Sequence, residues 1–423
     1  MNSTTIKRVK ARQVIDTRAE YTIEVQVETD GSGVGICAAP RGAPMSRGEW
    51  EPPSYPEGGI EEAIKLVHDR VGPSLKGMDA RNQQLIDSTL HKIDGTSRFK
   101  KIGANTSTAV SIAVAKAAAA TLGLPLYRYV GTAFSSELPV PLANIIGGGP
   151  HSREGKAPDF QEHMVIPMNA KSMTEVNKSV ILAYRKAREL CLKADLAWTG
   201  GKDDEGAWVP SLTGRKILEI LTQVAAQVES ETGVKMRVGV DCAIGRLWDQ
   251  KKSVYRYPQE NVNRDPGEQI EYISDLISTF PLYYVEDFVH NDDYDGYVEI
   301  TKKFGHRILV CGDDLFACNI DRLWKGIEMG AANSLIIKVN MAGTLTDTYR
   351  VVELAHKHGY IPVKSCRSGE TEDTTITHLS VAWNCPFSKF AVGEKGAAKV
   401  NELIRIEEDL GFAAKVAKSR IGP

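Results

Sequence analysis

Four short apolar runs in the second half of the chain each end in charged residues: MRVGVD (236–241), PLYYVED (281–287), HRILVCGDD (306–314) and NSLIIKVN (333–340). Segments with helical spacing separate these runs, so strand and helix alternate along this part of the chain. In a (β/α) barrel every strand delivers its last residues to one rim, where the catalytic groups of such barrels lie. The pattern therefore predicts that Asp241, Glu286, Asp313 and Lys338 meet at one rim.

The residue types in this set indicate the chemistry. Three converging carboxylates form an oxygen-rich site of the kind that Mg²⁺ prefers, and a lysine beside a bound cation can act as a base. The set predicts a Mg²⁺-dependent enzyme that removes a proton next to a carboxylate. A structural explanation stays open for each residue, because isolated acids and lysines at strand ends often only form caps or ion pairs.

The overall composition excludes several classes of function. The net charge of -2 over 423 residues provides no electrostatic reason to expect nucleic acid or an anionic membrane as a partner. The seven cysteines include no C-x-x-C pair, which argues against a zinc site or a disulfide framework. The N-terminus lacks the apolar core of a signal peptide, and no apolar run is long enough to span a bilayer. We therefore expect a cytoplasmic protein.

The length predicts two domains, and the segment GTAFSSE places the boundary between 1–135 and 136–423. In the first domain, TIKRVKARQVID and YTIEVQVET alternate as strands do, and helices are expected at 59–72, 81–92 and 105–122. The glycine cluster GSGVG (31–35) leads into a strand rather than a helix, which argues against a dinucleotide loop. These features predict an N-terminal α+β domain.

The second domain begins with two strands, in LPVPLANII and DFQEHMVIP, that no long helix separates. A capping box at Ser172–Glu175 then opens a helix that runs to about Asp195. The later strand candidates are 236–241, 282–286, 307–311, 334–338, 360–364 and 388–392. This order predicts an α/β barrel of ββαα(βα)₆ type rather than a Rossmann sheet.

Longer motifs narrow the assignment. The stretches ARQVIDTR (11–18), AVSIAVAKAAAA (109–120), CGDDLF (311–316), RSGETEDTTI (367–376) and LIRIEEDLG (403–411) stand in the order in which enolases carry them. The chain resembles that family over nearly its whole length. The resemblance implies an enolase-type barrel behind an N-terminal α+β domain, Mg²⁺ as cofactor, and a homodimer or higher homo-oligomer.

The resemblance also implies a role for individual residues. Lys338 matches the base that takes the α-proton of 2-phosphoglycerate, and Glu162 with Glu205 matches the pair that helps the hydroxyl leave. Two neighbouring glutamates can share one proton because like charges raise one pKa. The full set comprises Lys338, Glu205, Glu162 and His151 as catalytic residues, Arg367, Ser368, Gln161, Cys366 and Arg41 as substrate contacts, and Asp241, Glu286 and Asp313 as metal ligands.

The chain departs from the family pattern in the loop that follows Pro40. A serine that binds the second Mg²⁺ in enolases corresponds to Pro44, and proline has neither a side-chain oxygen nor an N–H. Positive charge from Arg41 or Arg47 could take the place of that second ion.

The last barrel strand departs as well. The lysine that holds the substrate carboxylate in enolases corresponds to Ala391, and about four residues are missing after Gly393. Lys389 or Lys395 could compensate, but neither is in register. Cys366 stands where the family has a histidine.

Four functions are compatible with these residues. The first, which the altered residues favour, is a Mg²⁺-dependent lyase that eliminates water from a phospho- or phosphono-carboxylate related to 2-phosphoglycerate. The second is ordinary phosphopyruvate hydratase activity. The third is transfer chemistry on an enolpyruvate-type substrate of phosphonate metabolism, and the fourth is a binding protein without activity. The retained Lys338 argues against the fourth, and the lost serine and lysine argue against the second.

Overall fold

The computed structural model describes residues 3–42, 50–149, 155–393 and 396–421. The N-terminal part is a three-stranded antiparallel sheet of β1 (Ile6–Ile15), β2 (Tyr21–Thr29) and β3 (Val34–Ala38). Its helices are α1 (Gly59–Leu66), α2 (Gly72–Leu75), α3 (Gln83–Asp94), α4 (Ala104–Leu122) and α5 (Leu126–Val130), with a π-helical turn, Val67–Val71, joining α1 to α2.

Helix α4 lies across β2 and β3 and covers the apolar face of the sheet. Ile23, Val25 and Val27 alternate along β2 on that buried face, as expected for a strand with one side in the core. The approach is close: a Cβ atom on Gly35 would lie 2.0 Å from the carbonyl oxygen of Ala113. The small side chains of the alanine-rich helix and this glycine therefore let the helix and the sheet pack directly.

The second part is built around a closed eight-stranded barrel. The remaining strands are β4 (Glu137–Leu138), β5 (Val140–Gly147), β6 (Glu162–Pro167), β7 (Met236–Asp241), β8 (Trp248–Asp249), β9 (Val254–Tyr257), β10 (Val262–Arg264), β11 (Leu282–Glu286), β12 (Leu309–Gly312), β13 (Ser334–Ile337), β14 (Ile361–Ser365), β15 (Phe387–Ala391) and β16 (Lys415–Val416). The helices are α6 (Met173–Ala194), α7 (Gly214–Thr232), α8 (Pro266–Thr279), α9 (Tyr294–Phe304), α10 (Ile320–Met329), α11 (Val339–Ala342), α12 (Leu345–Lys357), α13 (Thr375–Ala382) and α14 (Ala397–Leu410).

The order of strands around the barrel is β11-β12-β13-β14-β15-β5-β6-β7. Strand β6 runs antiparallel to both of its neighbours, whereas the other adjacent pairs are parallel. Two strands, two helices and six strand–helix units thus follow one another, which confirms the ββαα(βα)₆ barrel expected from the sequence. Because β6 is reversed, its first residue, Glu162, lies at the same rim as the last residues of the parallel strands.

The predicted barrel strands agree with the structure to within two residues at most boundaries, and β7 and β11 agree at both ends. The capping box before α6 is only half formed: the Ser172 side chain accepts from the Glu175 N–H, but Glu175 accepts from Lys171 instead of Ser172. A complete capping box stands at Asp265 and Glu268 before α8, and the sequence analysis missed it together with the small β8–β9–β10 sheet.

The N-terminal part contacts the barrel through the loop that carries the RSGE motif (367–370). Thr17 and Glu370 exchange hydrogen bonds, in which the Thr17 N–H donates to the Glu370 carbonyl at 2.8 Å. Arg41 and Gly369 exchange two backbone hydrogen bonds, each of 2.8 Å.

No helix in the described part of the chain is long and apolar enough to cross a membrane.

An ion pair between His91 in α3 and Asp347 in α12 joins the two parts, with 2.7 Å between the ring Nε2 and a carboxylate oxygen. Its hydrogen bond to Asp347 raises the pKa of His91, against the effect of partial burial. The folded-state pKa therefore lies above the unfolded value of about 6.5. The stabilisation is fully present below that pH and is lost as the pH rises through the folded-state pKa.

We predict that the difference in unfolding free energy between the protein and its His91→Gln variant decreases as the pH rises through the His91 pKa. The pair is partly exposed, so the pH-dependent part should be no larger than about 1 kcal/mol. Urea unfolding at several pH values measures it, with His306→Gln at an exposed histidine as control. A difference that stays the same at every pH would contradict this assignment.

Candidate active site

Three adjacent strands deliver the acids predicted from the sequence. Asp241 ends β7, Glu286 ends β11 and Asp313 follows β12, and these strands are neighbours in the barrel. All three side chains are buried, Glu286 completely. One Glu286 oxygen accepts a 2.5 Å hydrogen bond from the Tyr284 hydroxyl. The sequence pattern at the strand ends thus correctly identified residues that share one rim.

Lys389, from β15 on the far side of the barrel, reaches these acids. Its ammonium nitrogen lies 2.6 Å from Asp241, 2.7 Å from Glu286 and 3.4 Å from Glu162. Lys389 can therefore compensate for the missing strand lysine, although it is out of register with it. Residues two apart in a strand share a face, so a lysine two positions before the expected one can still point into the barrel.

Lys389 and the neighbouring acids shift one another's pKa values. Burial alone would lower the pKa of Lys389, but Asp241, Glu162 and Glu286 outweigh burial and raise that pKa well above its ordinary value. Burial and the nearby Asp241 raise the pKa of Glu286 to about 8, against the opposing effect of Lys389. The ammonium is therefore a fixed positive charge inside an acidic cluster.

Lys338 and the glutamates lie on opposite sides of this rim. Lys338 follows β13, and its ammonium lies 2.5 Å from Asp313. Glu162 begins β6, four strands away around the eight-stranded barrel. Burial raises the pKa of Glu162 well above its usual range; Lys389 opposes this shift, and Glu205 adds to it. Asn144 in β5 donates to Glu205 at 3.2 Å, which holds the second glutamate near the first.

Asp287 organises the rim, although the sequence analysis gave it no role. Its backbone has φ +44°, in the left-handed region. Its carboxylate accepts from the Asp313 and Asp314 N–H groups at 3.0 and 2.9 Å, and from the Tyr297 hydroxyl at 2.7 Å. Asp287 thereby holds the backbone that presents Asp313. The doubled acids of VED and GDD were the available signal for it.

The donor set fits a divalent cation. Carboxylate oxygens of Asp241, Glu286 and Asp287 lie within 4.8 Å of one another, and those of Asp287, Asp313 and Asp314 form a second such group. The predicted trio is thus divided between two groups that share Asp287. Glu286 Oε1 is buried and has no hydrogen-bond partner among the described residues. An all-oxygen set of this kind suits Mg²⁺, and the Lys389 ammonium already marks the cluster as a position that stabilises a cation.

Arg367 and Ser368 form the basic side of the rim. Arg367 Nη1 donates to Asn340 at 3.1 Å, and Nη2 donates to Glu51. Arg18 from the N-terminal part donates to the Ser368 hydroxyl at 3.2 Å. The N-terminal part therefore completes this side of the rim instead of only covering it.

One cavity connects these groups. It is lined by Glu51, Gln161, Glu162, Glu205, Asp241, Ala243, Asp287, Asp313, Asp314, Lys338, Ser365, Cys366, Arg367, Ser368 and Lys389. Gln161 also donates to Asp241 at 2.9 Å. Glu286 and Arg41 are absent from this lining and His151 lies outside the described residues, whereas every other site residue expected from the sequence lines the cavity.

Some expected residues lie elsewhere. The Arg41 side chain is absent from the cavity wall and pairs with Glu20 at 2.5 Å, with 38% of its own side chain exposed. His151, Pro44 and Arg47 lie outside the described residues. Sequence reasoning also missed Glu51, which stands in no motif and is brought to the rim by the fold, and it left Lys389 only as an out-of-register alternative to the missing lysine.

Comparisons with known proteins agree with this architecture. Residues 6–130 match the family model of the enolase N-terminal domain, and residues 135–421 match that of the enolase C-terminal TIM barrel domain. The enolases of Methanothermobacter thermautotrophicus and Methanosphaera stadtmanae are each 46% identical to this chain, over 96% of it and 97% of their own length. The enolase of Natronomonas pharaonis is 44% identical over 96% of this chain and 99% of its own.

We predict that Lys389→Met destabilises the protein and makes its stability depend more on Mg²⁺. Removing one partner of a buried ion pair costs about 3–5 kcal/mol, and a divalent cation can replace the lost positive charge. Thermal unfolding with EDTA and with Mg²⁺ measures both effects, with Lys252→Met at an exposed lysine as control. A variant as stable as the parent in EDTA, or one with no larger response to Mg²⁺, would disprove this role.

Proposed function

The chain belongs to the enolase family of carbon–oxygen lyases, and on that premise we propose that it dehydrates 2-phosphoglycerate to phosphoenolpyruvate with Mg²⁺ as cofactor. The observation that carries the proposal is the order of charged groups around one rim. Acids on three adjacent strands are followed by Lys338, by Arg367 with Ser368, by Lys389, and then by the two glutamates.

This order supports a proton transfer on each side of a bound substrate. Lys338 stands four strands from Glu162, so a base and an acid face the cavity from opposite sides. In the forward direction Lys338 takes the proton next to the substrate carboxylate. Glu205 and Glu162 supply the proton with which the hydroxyl group leaves as water, since burial keeps Glu162 protonated above its usual range.

The acids beside Lys338 would hold the metal. We assign Asp241, Glu286 and Asp313 as its ligands, with Asp287 keeping the Asp313 backbone in position. Mg²⁺ bound there supplies positive charge where the deprotonated substrate accumulates negative charge on its carboxylate. Lys389 lies at the same cluster and would hold the substrate carboxylate from the opposite side.

Arg367 and Ser368 would bind the phosphate. Arg is suited to this because its rigid fork of donors matches an oxyanion. The Arg367 guanidinium is oriented by Asn340, whose amide in turn donates to the Pro40 carbonyl at 3.1 Å. The phosphate position is thus connected to the N-terminal part through fixed hydrogen bonds.

The relatives support this ordinary reaction better than a diverged substrate. Eight enolases at 40–46% identity cover nearly the whole chain. The lost strand lysine was one of two arguments against the ordinary reaction, and the contact of Lys389 with the acids weakens that argument. Cys366 still lines the cavity in place of the histidine of the family pattern. This difference, together with Pro44 at the position of the loop serine, keeps a phosphono-carboxylate substrate as the second candidate.

We predict that the protein forms phosphoenolpyruvate from 2-phosphoglycerate in the presence of Mg²⁺. The ultraviolet absorbance of phosphoenolpyruvate measures the rate. Lys338→Met should reduce kcat by about 10²–10⁴-fold, the usual contribution of a general base. Glu205→Gln should reduce kcat as well, whereas the exposed Lys302→Met serves as a matched control with unchanged activity. Chelation of the metal should abolish turnover in the parent.

Absence of turnover in a folded, Mg²⁺-binding protein would overturn the proposed substrate. Phosphono-carboxylate analogues would then be tested in the same assay. A product that the parent protein forms and Lys338→Met does not form would support the second candidate. A homodimer or higher homo-oligomer stays a prediction from the family resemblance, and a cytoplasmic location stays a prediction from the composition of the sequence.

A further inference from the structure

Glu51 is an additional acid at the basic side of the cavity. It lines the cavity wall together with Arg367, and its carboxylate accepts a hydrogen bond from Arg367 Nη2. The pair is largely buried, with 5% of the Arg367 side chain and 19% of the Glu51 side chain exposed. A carboxylate of the protein therefore already lies on the guanidinium that the proposed function assigns to the substrate phosphate.

The segment around Glu51 is held on both sides. The ring of Trp50 contacts two guanidinium groups, with its centroid 5.0 Å from Arg98 of the N-terminal part and 4.9 Å from Arg322 of the barrel. Cation–π attraction of this kind holds the ring against both side chains.

After Glu51, the carbonyl groups of Pro53 and Ser54 accept from the Ala104 and Asn105 N–H groups at 2.9 and 3.0 Å, in the first turn of α4. These anchors keep Glu51 beside Arg367.

Arg367 has little freedom to leave this carboxylate. Its Nη1 is bound to Asn340, and a Cβ atom added to Gly42 would lie 1.7 Å from its Nη2. The Gly42 backbone therefore packs directly against the guanidinium and leaves no room for a side chain. An anion that binds Arg367 must share the guanidinium with Glu51.

We propose that Glu51 is a specificity-determining residue that weakens the binding of dianionic phosphoryl or phosphonyl groups at Arg367. The cavity wall carries seven acids, including Glu51, and three cations. Among these acids, Glu51 is the one that contacts the Arg367 guanidinium. Its negative charge repels a phosphate placed on the same guanidinium, and this repulsion is proportional to the charge of the ligand. The inference rests on the proposed function in assigning the anion to Arg367.

The test measures binding of inorganic phosphate to the metal-free protein by isothermal titration calorimetry. Glu51→Gln keeps the shape and an acceptor for Arg367 but removes the charge, and it should tighten phosphate binding by about tenfold, or about 1.4 kcal/mol. Dimethyl phosphate carries half the charge of the phosphate dianion, so in buffer basic enough for the dianion to predominate its gain should be only about threefold. Glu57→Gln, at an exposed acid in the same segment, should change neither.

A larger gain in affinity for phosphate than for dimethyl phosphate separates this role from a structural one. A general loosening of the site would instead weaken the binding of both anions. In the activity assay the same variant should lower KM for 2-phosphoglycerate more than it changes kcat. Equal phosphate affinity in the parent and Glu51→Gln, or an equal gain for both anions, would overturn the inference.

Arg367→Gln, which removes the positive charge, separates the role of Glu51 from the assignment of the anion to Arg367. If it weakens phosphate binding while Glu51→Gln has no effect, only the role of Glu51 fails. If it leaves phosphate binding unchanged, the assignment of the anion to Arg367 fails, and the proposed function loses its phosphate contact as well.

Discussion

The site depends on one constraint: several buried carboxylates share the mouth of a barrel and need positive charge. Lys389 provides part of that charge by reaching from β15 across the barrel to Asp241 and Glu286. Burying a carboxylate without compensation costs several kcal/mol, so the acids tolerate their burial only with cations among them. The same constraint makes the cluster a strong site for a divalent cation.

The barrel topology fixes on which side of the cavity each charged group lies. Parallel strands place the acids next to one another, and the reversed strand β6 brings Glu162 to the same rim from the opposite side. Lys338 and Glu162 therefore face each other across the cavity without contact between their strands. The separation of base and acid follows from strand order alone, which explains how a rigid scaffold keeps the two groups apart.

The N-terminal part acts as a structural element of the anion side. Arg18 contacts Ser368, and Pro40 is tied to Asn340, which orients Arg367. Glu51, on the same part of the chain, adds a negative charge to a position that otherwise favours anions. The affinity of this side for an anion therefore depends on attraction by Arg367 of the barrel and on repulsion by Glu51 of the N-terminal part.

The sequence by itself determined the alternation of strands and helices, the ββαα(βα)₆ barrel, the acids at the strand ends and the family, because periodicity and motifs are local properties of the chain. Only the tertiary structure decided that Lys389 reaches the acids, that Glu51 meets Arg367 and that Arg41 turns to Glu20. The first two contacts join residues 148 and 316 positions apart. Which partners such residues find is set by the closure of the barrel and the docking of the N-terminal part, so no local pattern records it.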